Sequence, residues 1–497
     1  MISVAGIFGN EMIFQRNKKI KIWGKTLEQK ETEKIIVKFK DKEYVAQLNE
    51  NSWKAEIDEC EAGGPYEMEI ICGEQVIKFQ DILIGEVWFA GGQSNMELAL
   101  RDSDSGIEEA ENADYEEIRF YNVPKVAFIE EDENPKGSWE KAKGEITGTM
   151  SAVGYYFAKE LYEKLEVPIG IIDCYWGGSS ALTWIGEEIS EEDEQVYASC
   201  QEFMKVINSK TDEQFDKEMK EYNDEWTAWD GRVQKLRKEN PDILWEEINE
   251  KAGLCPWPQP MGRKSPYRPF GLHETMIMKV APYTIKGFIY YQGEEDWNRS
   301  TFYNKMNTMV IRQWRQDFED ESLAFYITQL PMYMAKGDVD DKNWCVLRDE
   351  QMKAVKENDN VGLAVLIDCG EFDNIHPTDK KTPGYRLACQ ALGKTYGVVK
   401  NFDNMYIDKF KTLRNKIRIN FKNTYGKINI KGDKILGFEV SETGRAYYKA
   451  DAILDGDSII LQCDKIDYIR CVRYAWTNYG TVNVYNKEWL PLAPFNE

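Results

Sequence analysis

The chain has 497 residues, 42% hydrophobic and 13% aromatic, with a formal net charge of −23. That apolar content excludes global disorder, and the length predicts two or three domains. The negative charge argues against nucleic acid and anionic membrane surfaces as partners, because both would be repelled.

Residues 1–83 read as short strands: KIKIWGK (19–25), EKIIVKFK (33–40), EYVAQL (43–48), YEMEIIC (66–72) and QVIKFQDILI (75–84). Several alternate apolar and polar residues, and the turn signal Ala62-Gly63-Gly64-Pro65 separates two of them. Such spacing predicts a small β-sandwich. The opening residues show no basic n-region, no adequate apolar stretch and no small-residue cleavage site, so they read as mature structure rather than a signal peptide.

From residue 84 the pattern changes. VWFAGG (87–92) and VPIGIIDCYWGG (167–178) are buried strands ending in glycines. SAVGYYFAKELYEKL (151–165) between them is an amphipathic helix. Three more apolar runs follow: IKGFIYYQGE (285–294), LAFYITQL (323–330) and VGLAVLID (361–368). Buried strands alternating with helices predict an α/β domain with a parallel sheet over 84–400. Sites in such sheets form beyond the carboxyl ends of the strands, where several of these runs carry reactive residue types.

Residues 187–260 are a charged, helix-prone insertion in that domain, with Pro241 starting a new turn. A solvated face, a lid over the pocket and a contact in a homo-oligomer all fit it. After 400, strands return as KIRINF (416–421), KINIKG (427–432), ILGFEVS (435–441), SIILQC (458–463) and VRYAW (472–476), a second β module over 401–497. No run of 18 apolar residues exists to span a membrane. The ten cysteines form no CxxC pair, and Cys72, Cys174, Cys369 and Cys389 sit in apolar or strand-like runs. They read as reduced core thiols of a cytoplasmic protein. In that setting the sequon Asn298-Arg299-Ser300 is chance.

The strongest chemical signal is Gly91-Gly92-Gln93-Ser94-Asn95-Met96. A buried strand ends at two glycines, and a serine follows where a helix should begin. Free backbone N–H groups there suit an oxyanion, as in other nucleophile elbows. On local geometry alone, Ser94 serves equally well as a nucleophile or as an ordinary N-cap. Histidine scarcity breaks the tie. A serine nucleophile needs a base, and the chain has only His273 and His376. His376 lies in Asp373-Asn374-Ile375-His376-Pro377, just after the strand ending at Asp368, where a short turn would let Asp373 orient the ring. His273-Glu274 lacks such a setting and is not part of a zinc-binding motif. Further oxyanion donors are available at two strand ends, Trp176-Gly177-Gly178-Ser179 and Tyr291-Gln292-Gly293-Glu294. With two histidines and no clustered cysteines, no metal site is expected, and no phosphate- or dinucleotide-binding loop is present. The expectation is therefore a reaction without cofactor.

Together these blocks resemble the sialate O-acetylesterase family of SGNH hydrolases. GEVWFAGGQSNME (85–97) is similar to its nucleophile block and GIIDCYWGGSSALTW (170–184) to its glycine block. RPFGLHETMIMKVAPYTIKGFIYYQGEEDW (268–297) is similar to its Gln-Gly-Glu region and DNIHPTDKKTPGYRLA (373–388) to its Asp-x-x-His block. GNEMIFQRNKKIKIWG (9–24) and VRYAWTNYGTVNVYNKEWLPLAPF (472–495) extend the likeness to both ends. The resemblance implies an SGNH, flavodoxin-like three-layer core flanked by two β modules. It implies Ser94 as nucleophile, His376 as base and Asp373 as its orienter. The resemblance further implies that Gly178 and Gln292 complete the oxyanion hole with Ser94, Gly177 being able to stand in for Gly178. The chain departs from the family where relatives often have Gln-Gly-Glu-Ser-Asn, here Gln292-Gly293-Glu294-Glu295-Asp296. It departs again where they have Tyr-Asn, here His273-Glu274.

The expected reaction is removal of O-acetyl groups from a small sugar, most simply a sialic acid, through an acetyl-enzyme. The candidate sugar contacts are Trp184, Glu294, His273, Arg268 and Arg348, and Arg268, Arg348 and Arg386 are the candidates for a sialate carboxylate. One rival is an acetylesterase of xylan or mannan oligosaccharides; another, of a different class, is an inactive carbohydrate-binding protein.

Overall fold

The computed structural model describes residues 1–26, 34–129, 136–240, 243 and 245–497. The predicted strand 33–40 appears as Ile35–Phe39, its first residue lying outside the described set, as does Pro241.

Seven strands form the part of the main eleven-stranded sheet that carries the site. They are β1 (Gln75–Gly92), β2 (Asp114–Asn122), β3 (Trp139–Lys143), β4 (Ile169–Tyr175), β5 (Gly287–Tyr291), β6 (Ala324–Gln329) and β7 (Val361–Val365). Their order is β3-β2-β4-β1-β5-β6-β7, all parallel except the edge strand β3. β1 begins as an alternating strand, QVIKFQD, paired antiparallel to Gly63–Cys72. From Ile82 it is buried without interruption and pairs parallel with β4 and β5. The change from alternating to continuous apolar sequence is the change from a sheet with one wet face to one covered on both. One unbroken strand thus crosses positions 83–84, where the pattern switch suggests a module boundary.

Five helices matter below: α1 (Ala152–Leu165), α2 (Asp212–Glu239), α3 (Trp245–Ala252), α4 (Tyr303–Asp317) and α5 (Lys381–Gln390). Successive strand residues point to opposite faces. Trp88 packs edge-on against Phe157 of α1 at 5.2 Å, and its neighbour Phe89 packs against Trp314 of α4 at 5.2 Å. Helices on both faces make the three-layer α/β core expected of an SGNH hydrolase.

At the N-terminus a four-stranded sheet (Ile2–Val4, Ile20–Thr26, Ser52–Ile57, Gln47–Asn49) lies beside the strands that extend the main sheet. The C-terminal part adds two more four-stranded sheets and a two-stranded one. A continuous apolar core joins all of these, from Ile2 to Phe495. The insertion helices α2 and α3 have a small core of their own, Trp229, Val233, Ile248 and Ala252. Among the described residues no helix is long and apolar enough to cross a membrane, and all ten cysteines are free thiols.

Candidate active site

The loops after β1, β4, β5 and β7 meet at the carboxyl edge of the sheet. Gly92 ends β1 between Tyr175 of β4 and Tyr291 of β5. Its φ is 140°, and a Cβ would lie 2.1 Å from the Tyr291 carbonyl oxygen, so only glycine lets the chain finish this close to β5. Gln93 ties the same two strand ends together, its Oε1 accepting from the N–H groups of Gly293 (3.4 Å) and Glu295 (3.3 Å). Ser94 then opens a single helical turn, Ser94–Glu97. One turn carries little macrodipole, so the donor on offer is the Ser94 N–H itself, which has no acceptor within the helix.

His376 arrives from the loop after β7. Its Nε2 lies 2.8 Å from Ser94 Oγ, across 282 residues of sequence. Asn374 Oδ1 accepts from the His376 N–H at 3.0 Å, and Glu371 accepts from Asn374 Nδ2 and the Thr378 N–H. At the base of the loop buried Arg386 pairs with half-buried Asp368 at 2.6 Å. A buried relay docks the histidine loop onto the nucleophile turn: Lys380 Nζ donates to Asn95 Oδ1 (2.7 Å) and the Pro377 carbonyl (2.6 Å). Asn95 Nδ2 donates in turn to Glu294 Oε1 (2.5 Å) and the Ile375 carbonyl (3.0 Å).

This packing sets the charges. Burial, followed by the positive charge of Lys380, lowers the His376 pKa to about 4. Burial also lowers the Lys380 amine, opposed by Glu294, and raises the Glu294 carboxyl, opposed by its bond to Asn95. At neutral pH the imidazole is therefore uncharged, the form that can take a proton from Ser94.

The structure corrects the expectation for Asp373. Its φ of 58° turns the chain back, and its carboxylate accepts from the Lys336 N–H at 2.8 Å while its own N–H donates to the Met334 carbonyl. Among the described residues no hydrogen bond joins Asp373 to His376, so the contact seen at the site is the Ser94–His376 pair alone. Gln292 is a second correction. It is fully buried, and its Nε2 donates to the Ser179 carbonyl (2.7 Å) and more weakly to Asp296 Oδ2 (3.4 Å). Its amide protons brace the glycine loop instead of facing an oxyanion. Asp296 does similar work, accepting from Ser180 Oγ (2.5 Å), the Ala181 N–H (2.8 Å) and Arg299 Nε (3.0 Å).

The two glycines separate clearly. The Gly177 N–H is already bound to Glu97 Oε2 at 2.6 Å. The Gly178 N–H makes no hydrogen bond among the described residues. Gly178 has φ 75°, and a Cβ there would meet the Trp257 ring at 2.2 Å.

None of the five candidate sugar contacts lines the cleft. Trp184 is fully buried, with Nε1 on Ser179 Oγ (2.9 Å). Glu294 is buried in the relay beneath Ser94. His273 pairs with Asp317 at 2.8 Å, and Arg268 pairs with Glu274 at 3.1 Å. Arg348 is fully buried and donates to the Thr477 carbonyl at 2.6 Å. Arg386 is held by Asp368. The arginines are consumed by structural partners, because a buried guanidinium must be satisfied locally. The cleft that does contain Ser94 and His376 has a volume of about 590 Å³, and its walls include Trp176, Tyr267, Arg237 and Trp245.

Residues 261–393 match the family model for carbohydrate esterase, sialic acid-specific acetylesterase. Sialate O-acetylesterase of Mus musculus is 27% identical over 90% of this chain and 84% of its own length. The Homo sapiens protein of that name is 25% identical over 99% and 91%. A carbohydrate acetylesterase from Xanthomonas citri superposes over 100% of this chain and 99% of its own, with a TM-score of 0.79 and 26% identity. The chain is thus similar to sialate O-acetylesterases over most of its length. It is a carboxylic-ester hydrolase.

In this sialate O-acetylesterase relative, several groups at the site carry no signal of their own in the sequence. Asn95 is the exception, since it sits beside Ser94 in the glycine-serine block. Lys380, four residues after His376, reads as one of two adjacent lysines on a solvated surface, yet it is buried. Trp257, Arg237 and Trp245 belong to the insertion, whose charged composition fits a lid but does not single out these residues.

Proposed function

We propose that this chain removes O-acetyl groups from a sugar of the sialic acid class by acyl transfer through Ser94 and His376. The 2.8 Å approach of His376 Nε2 to Ser94 Oγ carries the reading. Neutral His376 takes the Ser94 proton as Oγ attacks the acetyl carbonyl. The N–H groups of Ser94 and Gly178 receive the oxyanion. The C–O bond to the sugar breaks, and the sugar oxygen leaves with the proton from His376. Water, deprotonated by the same imidazole, attacks the acetyl-enzyme and releases acetate, restoring Ser94. Asp373 serves this scheme as a brace of the histidine loop and not as a partner of the ring.

Sialic acid as substrate rests on the relatives' names and the family match. Ten free thiols favour a reducing compartment, and hence the cytoplasm. The test is Ser94→Ala, expected to lower aryl acetate hydrolysis by at least about 10³-fold while unfolding stays unchanged. Retention of most activity would remove Ser94 from the mechanism. Acetate release from O-acetylated sialic acid, set against release from acetylated xylo-oligosaccharide, tests the sugar. A preference for the latter would favour a hemicellulose substrate.

A further inference from the structure

We propose that Arg237, supplied by the helical insertion, is the site that binds the carboxylate of an acidic sugar held in the Ser94–His376 cleft. The inference rests on the esterase reading above and extends it to the substrate's charge. Arg237 lies near the C-terminal end of α2, and its guanidinium stacks on the Trp245 ring of α3 at 4.8 Å. Both residues line the same cavity as Ser94 and His376. That volume falls within the range of small-molecule sites, so one acetylated monosaccharide could touch Ser94, His376 and Arg237 together.

Charge accounting isolates this residue. Three cations border the cleft: Arg101, Lys125 and Arg237. Lys125 is committed to Glu97 at 2.5 Å and lies over the Trp176 ring. Arg101 has Asp102 beside it at 4.0 Å. Arg237 makes no ion pair or hydrogen bond to any described residue, and stacking on Trp245 leaves its N–H edge open. A planar guanidinium held by an aromatic ring presents two parallel donors, the geometry a carboxylate accepts. In a chain of net charge −23, an uncompensated arginine lining the same cleft as the nucleophile is the feature that would admit an anionic substrate. The arginines that the sequence offers for this task are consumed elsewhere in the fold.

The experiment compares two substrates that differ only in charge, an O-acetylated sialic acid and its C1 carboxamide, by acetate release. Wild type should prefer the carboxylate. Arg237→Met should lower the ratio of the two kcat/KM values by about tenfold to a hundredfold, the worth of one charge-assisted contact, with the change in KM. Arg237→Lys, which keeps the charge but not the fork, should retain part of the preference. An unchanged ratio in R237M, or no carboxylate preference in wild type, overturns the assignment. Aryl acetate hydrolysis by wild type, and its loss in S94A, reports on the esterase reading separately. If both hold and the ratio does not move, the subsite alone is wrong. If wild type releases no acetate from any ester, both fall.

Discussion

Acidification should leave ester hydrolysis intact far below the pH at which an ordinary imidazole is protonated. His376 must be neutral to act as base, and burial together with Lys380 lowers its pKa to about 4 from 6.5. That displacement corresponds to about 3 kcal/mol against the charged ring. At pH 5 about nine-tenths of the enzyme would then hold the neutral form, against about 3% for an unperturbed histidine. The assay is kcat/KM for an aryl acetate from pH 3.5 to 8, which reports the free enzyme. Lys380→Met should move the acid limb upward by removing a nearby positive charge. The limb should remain below 6.5, because burial is the larger cause. The substitution also leaves Asn95 Oδ1 and the Pro377 carbonyl without their donor, at a cost of about 1–3 kcal/mol. Linkage has the same sign. A histidine with a depressed folded pKa contributes its full stability above 6.5 and loses it as pH falls towards 4, so His376→Gln should flatten that part of the stability profile. A wild-type acid limb at or above 6.5 would refute the reasoning and point to a ring paired with a carboxylate.

Asp373→Asn should reduce kcat by less than about tenfold, since its carboxylate bonds the Lys336 N–H; a loss near 10⁴-fold, the scale of a true orienting aspartate, would show that it turns onto the ring during turnover. Gly178→Ala should cost about 1–3 kcal/mol in denaturant unfolding, because φ is 75° and the new methyl meets Trp257, and it should lower kcat by at least about 10²-fold as the free N–H is displaced. Wild-type kinetics in G178A would transfer the donor role to another group.

The α/β core and both flanking β regions are legible because strand period and burial are local properties of sequence. VWFAGG and VPIGIIDCYWGG announce their strands, and their glycines announce the turns. β2 and β3 are less visible: DYEEIRFYN opens with charges, and the edge strand WEKAK is only partly covered. Hydrogen-bond competition is not local, and the site depends on it. Asp373 sits at the expected spacing from His376, but a left-handed turn gives its carboxylate to a nearer donor. Gln292 lies at its strand end, but the Ser179 carbonyl accepts its amide hydrogen bond.

By itself, then, the amino-acid sequence determined which serine and which histidine to examine, since a strand ending in glycines is a local pattern and two histidines leave little choice. Tertiary structure decided where each polar side chain spends its hydrogen bonds. It tied three candidate arginines to carbonyls and carboxylates and brought a fourth, from the charged helical insertion, to the lining of the cleft. Chain neighbours specify a turn, but only packing specifies which distant donor and acceptor lie within 3 Å of one another.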